Sequence, residues 1–199
     1  MSYSQFRLED VESKLGLTIQ ETQNLFQNLE ATKVSSHLRE IIDYNLPLAL
    51  EIGTEKARSE MILTPILIEL KKIFHSQISL FSGREFNVDP EQGLTGFCDF
   101  LISKSASQLI IKAPVLILVE AKNDNIQLGL GQCIAEMHAA QIFNQRQGNE
   151  SHAIYGSVTT GTNWKFLKLV GNEVQIDVQE YFLNNLDLII SILKSFIQT

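Results

Sequence analysis

The chain has 199 residues, 44% hydrophobic and 20% charged, a globular profile that fits one domain, or one domain with a helical appendage, and excludes a low-complexity or fibrous chain. Its net charge of −7 argues against a protein that coats nucleic acid through bulk positive charge, but not against a carboxylate site whose charge a bound metal offsets. The two cysteines, Cys98 and Cys133, form no CxxC pair and suggest no zinc site.

A reducing cytoplasm is the expected compartment. The opening MSYSQFRLED has neither a basic n-region nor an apolar h-region, so no signal peptide is expected. Apolar runs such as Pro114 to Val119 are far too short to cross a bilayer.

The first part of the chain reads as helical. Leu8, Val11, Leu15 and Leu17 lead into a Thr18-x-x-Glu21 capping signal, followed by Leu25, Phe26 and Leu29 at helical spacing. Ser35 or Ser36 caps a second helix carrying Leu38, Ile41 and Ile42, which Pro47 is expected to interrupt. A third helical stretch runs from about Thr54 to Phe74, with Pro65 expected to kink or break it. Residues 1–50 thus read as a helical extension ahead of a core over 51–199.

Strand character follows. Ile78 to Val88 and Leu94 to Ser103 read as two strands around a turn at Asp89 to Gly93. Val115 to Lys122 is a third, apolar on both faces until its end, as suits the middle of a covered sheet. Gly129 to Gln147 reads as a helix closed by Gly148. Strands at Ala153–Thr159, Trp164–Val170 and Val174–Val178 come next, then an amphipathic helix from about Tyr181 to Phe196. The order specifies an α/β fold, a mixed β-sheet flanked by helices.

Carboxylates stand out against this apolar background. Alternation puts Phe97, Asp99 and Leu101 on one face of their strand and Cys98, Phe100 and Ile102 on the other. Glu120 follows five apolar residues and shares a face with Lys122. A buried carboxylate is costly unless paired or bound to a cation. Two on neighbouring strands repel unless positive charge sits between them. Lys122 supplies one positive charge, and oxygen ligands favour a hard ion such as Mg²⁺ or Mn²⁺ for the rest.

Asp99, a hairpin, then Glu120-Ala121-Lys122 with a following helix resembles the signature of the PD-(D/E)XK nuclease superfamily, whose fold is restriction endonuclease-like. Gln132 and Glu136 lie one turn apart on that helix, where many members carry a Gln or Glu. The stretch from Thr54 to Glu60 with Pro65-Ile66-Leu67 resembles the family's first core helix, and Gly156 to Gly161 with Trp164-Lys165-Phe166 resembles a hairpin of its bacterial members. The likeness covers roughly Glu51 to Val178; Cys98 stands where a Pro often precedes the Asp. It implies that Asp99, Glu120 and the Ala121 carbonyl hold Mg²⁺ or Mn²⁺, with Glu55 or Glu60 bound directly or through water. It further implies that Lys122 orients or deprotonates a water or neutralises the transition state, and that Gln132 positions Lys122 or the phosphate. The implied activity is endonucleolytic hydrolysis of DNA, with a homodimer as the plausible assembly.

Plainer roles compete at each position. Asp99 can simply accept hydrogen bonds at a strand end, and Glu120 with Lys122 can be a surface ion pair beside the polar Asn123-Asp124-Asn125. Glu55, Arg58 and Glu60 suit a solvated helix face, and Gln132 and Glu136 can be exposed. Cys98 reads as a packed core thiol, Trp164 as a core or hairpin residue, and His75, His138 and His152 as non-catalytic. The competing function is a catalytically inactive module of the same fold that binds DNA or protein; a hydrolase of another phosphoester is a third reading.

Overall fold

Alternating and helical apolar spacings become eight strands and six α-helices in a computed structural model that describes residues 1–21, 23–149 and 153–198. The strands are β1 (Thr18–Gln20), β2 (Ser79–Glu85), β3 (Phe97–Ser103), β4 (Val115–Ala121), β5 (Ile154–Thr159), β6 (Asn163–Val170), β7 (Glu173–Ile176) and β8 (Tyr181–Phe182). The helices are α1 (Asp10–Leu15), α2 (Ser36–Ile52), α3 (Glu55–Arg58), α4 (Thr64–Phe74), α5 (Gln127–Arg146) and α6 (Leu186–Gln198). His152 lies outside the described residues.

One mixed sheet runs β1-β7-β6-β5-β4-β3-β2, with β8 paired to β6. Strands β2, β3 and β4 are antiparallel neighbours, whereas β4 and β5 are parallel. A parallel pair needs a crossover, and α5 supplies it. Helices α2, α4 and α6 cover one face, burying Leu67, Leu70, Ile189 and Leu193 against Phe100, Ile117, Val119 and Phe166. Helices α1 and α5 cover the other with Val11, Ile134 and Met137 on Leu101, Leu118 and Leu167. Every residue of β4 is buried, as its unbroken apolar run requires.

Three local expectations are corrected. Thr18 does not cap a helix: Thr18–Gln20 is the edge strand β1, parallel to β7, and Leu25, Phe26 and Leu29 lie in an irregular segment. The open backbone edge of β7 outweighs the local helix signal, and Phe26 buries its ring against Phe166 and Phe196 instead. The first fifty residues are therefore helical only in part, and Tyr3, Phe6 and Leu17 join the core under α5. Pro47 does not interrupt α2; both it and Asp43, whose carbonyl loses its partner, are exposed. Tyr181 and Phe182 form a short strand, so the last helix starts at Leu186.

Pro65 is accommodated by a π-helical turn, Ser59–Leu63, between α3 and α4. The proline cannot pair with the Met61 carbonyl, and Asn45 Nδ2 from α2 donates to it at 2.9 Å.

The buried Asn144 clamps the end of α5 to the start of β4. Its Oδ1 accepts from Val115 N at 2.7 Å and its Nδ2 donates to Val115 O at 2.8 Å. Asn144→Leu leaves both backbone groups without a partner and is expected to cost about 2–4 kcal/mol, read as a lower urea midpoint with an unchanged slope.

Candidate active site

The site lies where β4 leaves the sheet. Phe100 pairs with Val119 in the β3–β4 ladder, so one step further on Asp99 and Glu120 stand level. Asp99 Oδ2 accepts the Ala121 N–H at 2.8 Å. Glu120 is 2% exposed, and Lys122 folds back so that its Nζ donates to Glu120 Oε1. The surface ion pair is thereby excluded for Glu120: the carboxylate is inside.

Helix α5 completes the group. Lys122 Nζ reaches Gln132 Oε1 at 3.5 Å, and Gln132 Nε2 donates to Glu136 Oε1 at 3.1 Å. A polar chain thus runs Glu120–Lys122–Gln132–Glu136, and its geometry orients the amide of Gln132, carbonyl to the ammonium and NH₂ to the carboxyl. Gly129 makes room for it. A Cβ there would stand 3.0 Å from Lys122 Cε and 2.6 Å from Val158 Cγ1, so only glycine lets the lysine stem lie against the helix.

Charge and burial oppose each other here. Burial first, then the Asp99 charge, pushes the Glu120 carboxyl up to about 8, against the pull of Lys122. Burial also drives Glu136 well above the carboxylate range, with Glu120 adding to it. For Lys122, burial pulls down, but the Glu120, Glu55 and Asp99 carboxyls outweigh it and hold the ammonium above its ordinary value. Lys122 is therefore a firm cation and hydrogen-bond donor beside those carboxyls rather than a ready base.

Two buried oxygens, Glu120 Oε2 and Glu136 Oε2, have no hydrogen-bond partner. An orphaned carboxylate oxygen is where a cation or a proton belongs. Among the described residues, no three His, Cys, Asp or Glu side chains come close enough together to hold a metal ion. Asp99 and Glu120 are the two carboxylates that the ends of β3 and β4 offer to an ion here. That set fits Mg²⁺, which is held by one or two carboxylates plus waters and phosphate oxygens.

The remaining candidates separate. Glu55, on the first turn of α3, acts on both Glu120 and Lys122 by its charge. Glu60 is not brought to the group; it is exposed and paired with Lys56 at 2.9 Å. Arg58 Nη1 donates to Thr160 O at 3.1 Å and ties α3 to the β5–β6 turn beside the site. Trp164 is fully buried, its Nε1 donating to Gly161 O at 3.2 Å.

Cys98 is a packed core thiol, 1% exposed, but not on the face that alternation predicts. It lies with Leu101 under α5, and burial together with Glu136 and Glu120 pushes the thiol up. The β2 ladder pairs Ser82 with Phe100 and Arg84 with Cys98 and passes over Asp99, where the regular alternation fails. Sequence reasoning undervalued Glu136. The signal for it was the helix itself: Cys133, Ile134, Ala135, Met137, Ala139 and Ala140 surround it with apolar residues, leaving no wet face for its acid.

No protein-family model matches the chain, and no curated protein matches it.

Because the folded protein holds the Glu120 proton more tightly than the unfolded chain, whose value is near the ordinary 4.5, the contribution of Glu120 to stability is full below about pH 4.5 and is lost as pH rises towards about 8. In urea titrations across that window, Glu120→Gln is expected to flatten the decline, and adding Glu136→Gln to remove most of what is left. A slope unchanged in both variants would contradict the assignment.

Proposed function

We propose that this chain is a metal-dependent nuclease of the PD-(D/E)XK type, hydrolysing phosphodiester bonds in DNA. The observation that carries the reading is that Asp99 and Glu120 stand level on two adjoining antiparallel strands, with Lys122 donating to one oxygen of Glu120 while its other oxygen is buried without a partner. The arrangement of elements supports it as well. A helix bearing Glu55, three antiparallel strands, a helix and a parallel strand follow one another in the order the resembling family uses.

Asp99 and Glu120, with the Ala121 carbonyl, would hold Mg²⁺ or Mn²⁺. The ion, when bound, supplies Lewis acidity and a water of lowered pKa. The rest is done by the chain. The Lys122 ammonium places a positive charge where a scissile phosphate accumulates negative charge. Gln132 restrains that ammonium through its carbonyl, and Glu136 restrains Gln132. Burial of the group keeps water from screening these interactions. Glu55, whose charge acts on Glu120 and Lys122, would join the ion directly or through water.

One observation favours the alternative, an inactive module of the same fold. Lys122 already occupies one oxygen of Glu120, so the carboxylate has a partner without any metal.

Cleavage of plasmid and oligonucleotide DNA in Mg²⁺ or Mn²⁺ separates the two. The nuclease reading expects turnover in the wild type, none in Glu120→Ala or Asp99→Asn, and a loss of about 10²–10³-fold in Lys122→Ala. Calorimetric titration with Mn²⁺ is expected to show binding that disappears in Asp99→Asn. Metal-independent behaviour of wild type in both assays would overturn the reading.

A further inference from the structure

We infer that the chain has a second ligand site, a cavity on the sheet face covered by α6 that takes a small aromatic acid, with Lys168 pairing the acid's charge and Tyr155 and Phe26 lining the space for its ring. The site is independent of the nuclease reading. The cavity measures about 360 Å³, within the roughly 300–1,000 Å³ that small-molecule sites occupy. One wall is the irregular segment from Asn24 to Leu29; the other is Tyr155 on β5, Lys168 on β6 and Ser195 on α6. Both walls are fixed before a ligand arrives. Gln23 O accepts from Val178 N at 3.0 Å, and the Phe26 ring meets Phe166 edge to face at 5.8 Å. Tyr155 is stacked on Phe196 with ring centroids 4.1 Å apart. Glu120 takes no part. It shares its face of β4 with Leu118, in the core under α5, whereas Tyr155 belongs to the core under α6. Tyr155 also pairs with Ile117, three residues short of Glu120, or about 10 Å along the strand.

Lys168 selects the ligand. It sits on an inner strand, paired with Tyr155 on one side and Gln175 on the other. It shares a face with the buried Phe166, so its stem starts on the helix-covered side of the sheet, where a lysine is costly unless its head reaches water or an anion. Among the described residues its ammonium has no ion pair and no hydrogen bond. Glu173, diagonal to it on β7, is bonded instead by Gln175 Nε2 at 2.7 Å. No carboxylate lines the cavity among the described residues; apart from Lys168, its polar side chains are neutral amides and hydroxyls. A cation without a counter-charge, set among neutral donors, attracts an anion. One cation balances one negative charge, so a carboxylate suits the site better than a multiply charged phosphate compound. Tyr155 and Phe26 then give a flat aromatic body more contact than a thin chain would gain.

The test is an amide-resolved NMR titration of the full chain with 1-naphthoate and with 1-naphthalenemethanol, which has the same rings without the charge. Naphthoate is expected to give saturable shifts grouped on residues 24–29, the start of β5 and the end of β6, and to bind roughly tenfold or more tightly than the alcohol. Lys168→Met is expected to lower naphthoate to the affinity of the alcohol and to leave the alcohol unchanged, whereas Lys168→Arg keeps the preference. Leu25→Trp, which fills the cavity from its wall, is expected to abolish binding of both. A dispersed, wild-type-like spectrum shows that each variant is folded, and the comparison of acid with alcohol in the wild type needs no variant. Absence of saturable naphthoate binding, equal affinity for the two compounds, shifts scattered over the surface, or naphthoate binding unchanged in Lys168→Met overturns the inference. Cleavage of DNA, or its absence, bears on none of these outcomes.

Discussion

Glu120 can sit at the end of a wholly buried strand because Lys122 folds back on to it. A lone carboxylate there would be too costly to keep charged, and a lone lysine would have no reason to turn inward. Each justifies the other, and the pair dictates its surroundings. Gly129 is needed so that the lysine stem can pass, Gln132 meets the ammonium, and Glu136 meets Gln132. The acid of Asp99, turned on to the Ala121 N–H, then raises the energy of the ionised Glu120 from the neighbouring strand. What remains are two buried oxygens, Glu120 Oε2 and Glu136 Oε2, without hydrogen-bond partners.

The scaffold holds this arrangement from two directions. Asn144 fixes the far end of α5 to the start of β4, so helix and strand cannot slide past one another. Near the other end, the backbone of Arg7 lies directly against Gly131, where a Cβ would come within 2.3 Å of Arg7 C. The first residues of the chain are thereby pressed on to the helix that carries Gln132, and Tyr3 anchors them by donating to the Phe86 carbonyl at 2.6 Å. Rigid elements place polar groups more finely than loops do, and here both strand and helix are pinned close to the chemistry.

Much of this was legible in the residues. The apolar run ahead of Glu120 announced a central strand, and Ser35 capped its helix as expected by accepting from Leu38 N. The β-alternation that paired Glu120 with Lys122 needed only a period of two. The losses came where distant parts of the chain decide the outcome. Thr18 to Gln20 carries a good local helix signal, but a free sheet edge arrives from residues 173–176. The π-helical turn at Ser59–Leu63, and the pairing of Glu60 with Lys56, are features that no pattern of apolar residues records. The spacing of Gln132 and Glu136 suits either an exposed pair or a pair beside the site, and only the packing of α5 on the sheet shows that Glu136 is buried and bonded to Gln132.

The π-helical turn at Ser59–Leu63 holds one residue more than an α-helix needs to span the same rise. That extra residue offsets α3 from α4 by about 100° of rotation. Glu55 and Arg58 lie upstream of it, the packed face of α4 downstream. Loss of a single codon here would restore a regular helix, leave the apolar face of α4 seated, and swing Glu55 and Arg58 around the axis, away from Glu120 and Thr160. An in-frame deletion would thus retune the charge around Glu120 without disturbing the hydrophobic interior.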